Sequence, residues 1–157
     1  MSPVDYSQDP KEIGAIAHGN SKGSQAAAVE AYRRLGEVVG DALGNGLTLI
    51  DGLAVIGGGL SEGHQLFLPA LVAELNSTYT GPNGKPFQRL ASRAFNLEDP
   101  VKREKFLKGD AREIVVPGSS RKIQYDPLQR VGLGTSRLGT SEAVAIGAYA
   151  LALNKLS

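Results

Sequence analysis

Apolar and small residues recur at helical spacing from Gln25 to about Leu49, and charged residues occupy the opposite face of this stretch. Ser21 or Ser24 can cap its start. Glycines at positions 36, 40, 44 and 46 would each weaken an exposed helix by about 1 kcal/mol, so they are more plausible where the backbone packs closely on a sheet. The pattern predicts a long amphipathic helix with an apolar stripe of Ala28, Tyr32, Leu35, Val39, Ala42, Gly46 and Leu49.

The next pattern is a short apolar run followed by three glycines. Residues 53–56 are too few for a helix and predict a buried strand; Gly57, Gly58 and Gly59 follow, and helical spacing resumes at Leu66. Glycines permit positive φ and leave room for a ligand, and the free N–H groups where a helix begins favour an anion. We hypothesise that this strand–turn–helix binds a nucleotide; the alternative is a tight turn without a ligand.

An aspartate followed by a proline indicates two shorter helices. Asp9 and Pro10 begin a helix that stops near His18, and the residues before Asp9 are interpreted as a tail. The same pair at residues 99–100 begins a helix that ends near Gly109. Between the glycine turn and this second pair, one helical face is predicted from the spacing of Phe87, Leu90, Ala91 and Ala94.

A hairpin and a thin helix are predicted towards the end of the chain. Residues 113–116 and 122–125 flank a Pro-Gly-Ser-Ser loop, which is typical of two antiparallel strands. Glycines then break up residues 130–141, RVGLGTSRLGTS. The final helix, Glu142 to Asn154, is rich in small residues, so we expect it to pack tightly against another helix or a sheet.

Composition narrows the class of protein. The chain has 157 residues, which suits one domain with a real core, and 41% hydrophobic and 21% charged residues are ordinary globular values. A net charge of +1 lacks the basic excess of most nucleic-acid binders, and the absence of cysteine excludes disulfides and cysteine-ligated zinc in this chain. No apolar run reaches membrane-spanning length and no signal peptide is apparent, so a cytoplasmic domain is expected.

The candidate chemistry is confined to the glycine turn. Its spacing matches neither the P-loop nor the dinucleotide fingerprint, so we expect it to lie beside a ribose, an adenine or an inner phosphate. His64 follows the turn and either reaches a ligand or serves as an exposed or capping residue, while His18 is interpreted as helix-terminal. No convincing set of a base and Mg²⁺ ligands for phosphoryl transfer is present.

Two segments resemble the ROK family (repressor, open reading frame, kinase). Residues 41–76, DALGNGLTLIDGLAVIGGGLSEGHQLFLPALVAELN, resemble the family's C-terminal half through the L-T-L-I-D segment, the strand, G-G-G-[LIV]-S and a leucine-rich helix. Residues 138–156, LGTSEAVAIGAYALALNKL, resemble its last segment. The similarity covers most of residues 23–77 and 131–156, whereas residues 78–130 are less typical of the family.

The resemblance implies a fold class and a site. The fold would be α/β, the C-terminal lobe of an actin-like (ribonuclease H-like) ATPase, with helices packed on a mixed sheet. Residues 1–157 would form one lobe: a helix–strand–glycine–helix core at 9–76, a variable helical and hairpin section at 77–130 and a closing helix at 131–157. In complete members ATP and Mg²⁺ serve to phosphorylate a hexose or related sugar. The nucleotide-binding positions carried over are Gly57, Gly58, Gly59, Leu60 and, with less support, Ser61.

The family motifs that are absent shape the functional hypotheses. The D-x-G-x-T phosphate segment, the segment with the catalytic aspartate, the E-x-G-H sugar motif and the zinc motif are not found, and all normally lie upstream. We therefore expect a piece of a longer protein or one of two chains, which by itself should not phosphorylate a sugar. The first hypothesis is the ATP-binding lobe of a ROK-type sugar kinase whose sugar is bound through a missing N-terminal lobe.

Two alternatives remain open on the same residues. The lobe could be the effector and dimerisation part of a sugar-responsive repressor, which would bind DNA only if a helix-turn-helix lies upstream. It could also be an interaction domain without a ligand. A severed lobe would expose apolar surface, so a homo-oligomer is expected.

Overall fold

The computed structural model describes residues 9–156, and the tail predicted before Asp9 lies outside the described residues. The chain forms a mixed α/β arrangement with small sheets. The helices are α1 (Pro10–Ala17), α2 (Gln25–Leu49), α3 (His64–Leu75), α4 (Pro100–Lys108) and α5 (Thr140–Leu156), with a short 3-10 helix at Gly59–Gly63. The strands are β1 (Ala54–Ile56), β2 (Thr78–Thr80), β3 (Pro86–Gln88), β4 (Arg93–Asn96), β5 (Arg112–Val115), β6 (Lys122–Tyr125) and β7 (Arg130–Thr135).

Capping side chains set the predicted helix starts, and the structure confirms them. Asp9 accepts a hydrogen bond from the Lys11 N–H at 3.0 Å, and Ser24 accepts one from the Ala27 N–H at 3.3 Å. Asp99 accepts from two backbone N–H groups of α4, at 2.9 and 3.1 Å. Each cap satisfies donors that the first turn of a helix leaves free, so these three boundaries are encoded locally.

Helix α3 is the centre of the core. Its leucines Leu68, Leu71 and Leu75 are almost fully buried, with α2 on one side and the strand β4 on another. Two glycines of α2 face α3: a Cβ on Gly36 would lie 2.3 Å from the Phe67 carbonyl oxygen, and one on Gly40 would lie 2.9 Å from the Leu71 carbonyl oxygen. The expectation that the four glycines pack on a sheet is therefore wrong: Gly36 and Gly40 pack on a helix, Gly44 meets the Arg89 side chain, and a Cβ on Gly46 would have nothing within 4 Å. The predicted apolar stripe also ends early, because Leu49 is 86% exposed.

A three-stranded parallel sheet in the order β1–β7–β4 carries the other half of the core. The stretch that glycines were expected to break up is its central strand, and Leu133 there is fully buried. Conversely, β1 was predicted to be buried but lies at the edge, with Val55 68% exposed. The expected single mixed sheet is also wrong, because the antiparallel strands form two separate hairpins, β2–β3 and β5–β6.

The section between α3 and β7 contains more strand residues than the spacing of its apolar residues indicated. The predicted helical face is wrong: Phe87 lies in β3 and Ala94 in β4. The hairpin at β5–β6 is confirmed, with Val115 opposite Lys122. Asn76, at the end of α3, holds β4 through two 2.9 Å hydrogen bonds, donating to the Ala94 carbonyl and accepting from its N–H. This amide takes the place of a neighbouring strand and fixes α3 against the sheet.

Helix α5 stands apart from the core. Every side chain from Ser141 to Lys155 is exposed, and the apolar ones include Val144, Tyr149 and Leu153 at 68%, 73% and 68%. The expectation that this small-residue helix packs tightly within the chain is therefore wrong. Within residues 9–156 no helix combines the length and the apolar character needed to cross a membrane.

Candidate functional site

The triple-glycine turn lies at the carboxyl end of β1. Gly58 has φ of +89°, and the chain then enters the 3-10 helix Gly59–Gly63 before α3 begins at His64. Ser61 closes the turn, because its N–H and its hydroxyl both donate to the Gly58 carbonyl, at 3.0 and 2.7 Å. The predicted sequence of strand, glycine turn and helix is therefore confirmed, with the 3-10 helix as an added element.

The chain's own backbone conformation requires glycine at only one of the three positions, and packing requires it at none of them. Gly58 needs to be glycine because its φ is positive. A Cβ on Gly57 would make an ordinary contact of 3.7 Å with Ser136, and a Cβ on Gly59 would have nothing within 4 Å. Neither has a positive φ. The bare surface at these two positions is therefore not explained by the fold of the described residues.

A groove runs beside this turn, between α1 and the 3-10 helix. Its volume is about 750 Å³, within the usual range for small-molecule pockets. Tyr32 is 6% exposed and forms the floor, where Gly14 and Gly63 let the two walls approach it: added Cβ atoms would lie 2.9 Å from its hydroxyl oxygen and 3.3 Å from its ring. Polar side chains at the rim are Asp9, Lys11, His18 and Glu62.

Of the predicted site residues, Leu60 lines this groove, whereas the Ser61 hydroxyl is bonded inside the turn. Leu60 is 43% exposed and lies between the groove and a smaller recess of about 220 Å³ formed mostly by apolar side chains. The hydroxyl hydrogen of Ser61 is already used inside the turn.

His18 is the C-terminal capping position of α1, as its helix-terminal interpretation predicted.

A second polar group occupies the same edge of the sheet, where β4 and β7 end. Glu98 accepts hydrogen bonds from the N–H and the hydroxyl of Thr135, at 2.8 and 2.9 Å, through one carboxylate oxygen. Its other oxygen accepts from Arg137 at 2.9 Å. The Thr135 N–H is the main cause of a lowered Glu98 pKa, with further contributions from the Thr135 hydroxyl, Arg137 and His64. Glu98 is therefore held as a carboxylate.

His64 begins α3 directly after the 3-10 helix of the turn. Its Nδ1 is 3.0 Å from the Ser61 carbonyl oxygen, which can only accept, so Nδ1 carries the hydrogen and donates. The imidazole is half-buried. Of the two sequence interpretations, the capping one describes this bond, because His64 ties the start of α3 back to the 3-10 helix.

Glu98→Gln should reduce stability in a pH-dependent way. Because the folded-state pKa of Glu98 is below the ordinary value of 4.5, its contribution is complete above 4.5 and is lost as the pH falls through the folded pKa. The variant lacks this charge-assisted bonding, so we expect a loss of about 1 kcal/mol at pH 7 that shrinks below pH 4.5.

Urea unfolding at several pH values measures this difference, and Glu104→Gln on the exposed face of α4 is the control, with little change expected. A deficit in Glu98→Gln that is the same at pH 7 and at pH 3 would contradict the assigned hydrogen bonds.

Glu98, Thr135 and Arg137 were missed from sequence because β7 was not predicted as a strand. Their separations of 37 and 39 residues leave no local motif. A usable signal was present, since Val131 and Leu133 alternate with Gly132 and Gly134 at the period of two expected for a strand. With β7 placed, all three residues fall at carboxyl strand ends, where ligands bind in open α/β sheets.

The fold is similar to that of a solved sugar kinase. It matches the crystal structure of glucokinase from Parabacteroides distasonis ATCC 8503 with a TM-score of 0.77 and 41% sequence identity. The match covers 94% of this chain and 39% of that chain, so the described protein corresponds to well under half of the glucokinase's length. No protein-family model matches the sequence, and no curated protein matches it.

This likeness bears on the expected family only at a coarse level. A glucokinase as structural neighbour is consistent with a sugar-kinase-like fold, which agrees with the resemblance drawn from the glycine turn and the last segment. The mixed α/β arrangement of helices and small sheets also agrees with it.

Proposed function

We propose that this chain is the ATP-binding lobe of a ROK-type sugar kinase with an actin-like fold. The observation that carries the proposal is the bare backbone at Gly57 and Gly59, two glycines that packing does not require, at the carboxyl edge of a parallel sheet. Glycine at such places leaves space for a ligand to approach the backbone closely. The likeness to a glucokinase supports a nucleotide as this ligand.

In this proposal the nucleotide follows the turn from the groove towards the sheet. The adenine occupies the groove over Tyr32, with Leu60 contacting one side of the base. The ribose and inner phosphates lie along Gly57, Gly58 and Gly59, where no side chain intervenes. Ser61 keeps the turn in shape through its two hydrogen bonds to Gly58.

The proposal assigns no catalytic role to the described residues. Within residues 9–156 no group of three or more histidine, aspartate or glutamate side chains could hold a metal ion. Mg²⁺ is usually held by one or two carboxylates together with the phosphates of its nucleotide, so in the proposal it binds with ATP in the complete protein. Glu98 is engaged by Thr135 and Arg137 and is not available as a base. A kinase also needs a carboxylate for the attacking sugar hydroxyl, and we assign that group and the sugar site to another part of the complete protein.

The exposed apolar residues of α5 accord with a lobe that has a partner surface. Val144, Tyr149, Leu151 and Leu153 are each more than 60% exposed, which is unusual for so many apolar residues on one helix. In the proposal they are covered by the remainder of the complete protein or by a second copy, which is the homo-oligomer expected from sequence.

The experiment for the proposed reaction uses the complete protein that contains this chain. With ATP and a panel of hexoses and related sugars, we expect ADP to form only when a suitable sugar is present. Sugar-dependent binding to DNA without ADP formation would instead support the repressor alternative. The upstream sequence gives an independent check, because a D-x-G-x-T segment favours the kinase and a winged helix-turn-helix favours the repressor.

A further inference from the structure

Arg137 is an exposed cation that is tethered at one guanidinium nitrogen. Its side chain is 76% exposed, yet one guanidinium nitrogen donates to Glu98 at 2.9 Å. The Glu98 side chain is only 13% exposed and is itself held by the N–H and the hydroxyl of Thr135. An exposed ion pair contributes little to stability, so the arrangement is better understood as one that orients the arginine.

The loop that carries Arg137 runs beside the glycine turn. Thr135 pairs with Ile56 in the parallel ladder, and the next residue, Ser136, donates its N–H to the Ile56 carbonyl at 2.8 Å. One residue further along each of these two segments, a Cβ on Gly57 would lie 3.7 Å from the Ser136 Cβ. Gly57 and Ser136 are therefore neighbours. Because Gly58 and Arg137 are the next residues of these two segments, the backbone of Arg137 lies at the edge of the turn.

The guanidinium retains most of its hydrogen-bonding capacity. Arginine has five N–H donors in a fixed fork, and the ion pair with Glu98 uses one guanidinium nitrogen. The remaining donors can bind a phosphate through two parallel hydrogen bonds, a geometry that lysine does not reproduce. An exposed fork that is tethered at the same edge of the sheet as the bare glycine backbone is suited to the charged part of a ligand rather than to its base.

We propose that Arg137 binds a phosphate group of the nucleotide held at the triple-glycine turn, and that Glu98 is the positioning residue for Arg137. This inference rests on the proposed function. It adds the residue that distinguishes a nucleotide from the corresponding nucleoside at this site.

The experiment is calorimetric titration of the complete protein with ATP and, separately, with adenosine. Arg137→Gln should weaken ATP binding about tenfold, in line with the loss of a charge-assisted hydrogen bond, and should leave adenosine binding unchanged. Arg137→Lys should recover part of the loss, because the charge remains without the fork. Glu98→Gln should weaken ATP binding by a smaller factor, again with adenosine unchanged. Arg121→Gln, in the exposed β5–β6 loop, is the matched control and should change neither affinity.

The ratio of the two affinities separates a role in phosphate binding from structural damage. Damage to the fold would lower both affinities together, and that result in Arg137→Gln would overturn the inference, as would an unchanged ATP affinity. If the unaltered protein bound ATP but the ratio did not move in Arg137→Gln, the inference would fail while the proposed function stood. If the unaltered protein bound neither ligand, the proposed function would fail and this inference with it.

Discussion

Replacing Gly36 by alanine is expected to destabilise the protein by about 1–3 kcal/mol, the usual range for forcing atoms into a well-packed core. The added Cβ would lie 2.3 Å from the Phe67 carbonyl oxygen and 3.1 Å from the Leu71 nitrogen. Both atoms belong to the backbone of α3, so neither can rotate away, and the two helices must separate along their contact. Alanine is the better helix former by roughly 1 kcal/mol, but the clash outweighs this gain.

The matched control lies ten residues further along the same helix. Gly46 is exposed and a Cβ there would meet nothing within 4 Å, so Gly46→Ala should stabilise the protein by roughly 0.5–1 kcal/mol through helix propensity alone. Urea denaturation of both variants measures the two changes. Equal changes of the same sign would show that α2 does not pack on α3 through Gly36.

The elements that were predicted correctly have local signals. The starts of α1, α2 and α4 depend on a capping side chain two or three residues from the N–H that it accepts from, so a short window of sequence contains the whole interaction. The β5–β6 hairpin is likewise closed by the loop between its own strands. Such features could be predicted without knowing what else the chain touches.

The elements that were predicted wrongly depend on distant partners. β7 contains two glycines, which weaken a strand locally, but it lies between two other strands, and Leu133 is fully buried in the core cluster that includes the leucines of α3. The position of β1 at the edge depends on the strand order, which no local pattern gives. α5 has the composition of a tightly packed helix, yet its surface within residues 141–155 is exposed, so the partner that its composition indicates is not in the described chain.

The residues of the candidate site likewise form one group with a local sequence signal and one group that depends on distant partners. The glycine turn lies within one short segment, so its strand–turn–helix arrangement could be predicted from sequence. Glu98 and Arg137 are brought together by β4 and β7, whose pairing joins segments 37 residues apart, as between Arg93 and Arg130. The structure also sharpens the glycine hypothesis, because it shows which of the three glycines the fold itself requires.

Gly59→Val is expected to weaken ATP binding by at least about tenfold without unfolding the protein. Gly59 has no positive φ and open space around its Cβ position, so valine fits the protein but fills the volume assigned to the nucleotide. Gly58 is a poorer choice, because its φ of +89° would strain any side chain and mix folding with binding. Gly52→Val is the matched control: it also has open space and no positive φ, and it lies at the opposite end of β1.

Calorimetric titration of ATP into the complete protein and these two variants decides whether the triple-glycine turn holds a nucleotide. Thermal unfolding recorded alongside establishes that all three are folded. We predict that the unaltered protein and Gly52→Val bind ATP equally and that Gly59→Val binds it at least tenfold more weakly. ATP binding of the same strength in a folded Gly59→Val variant would contradict the account.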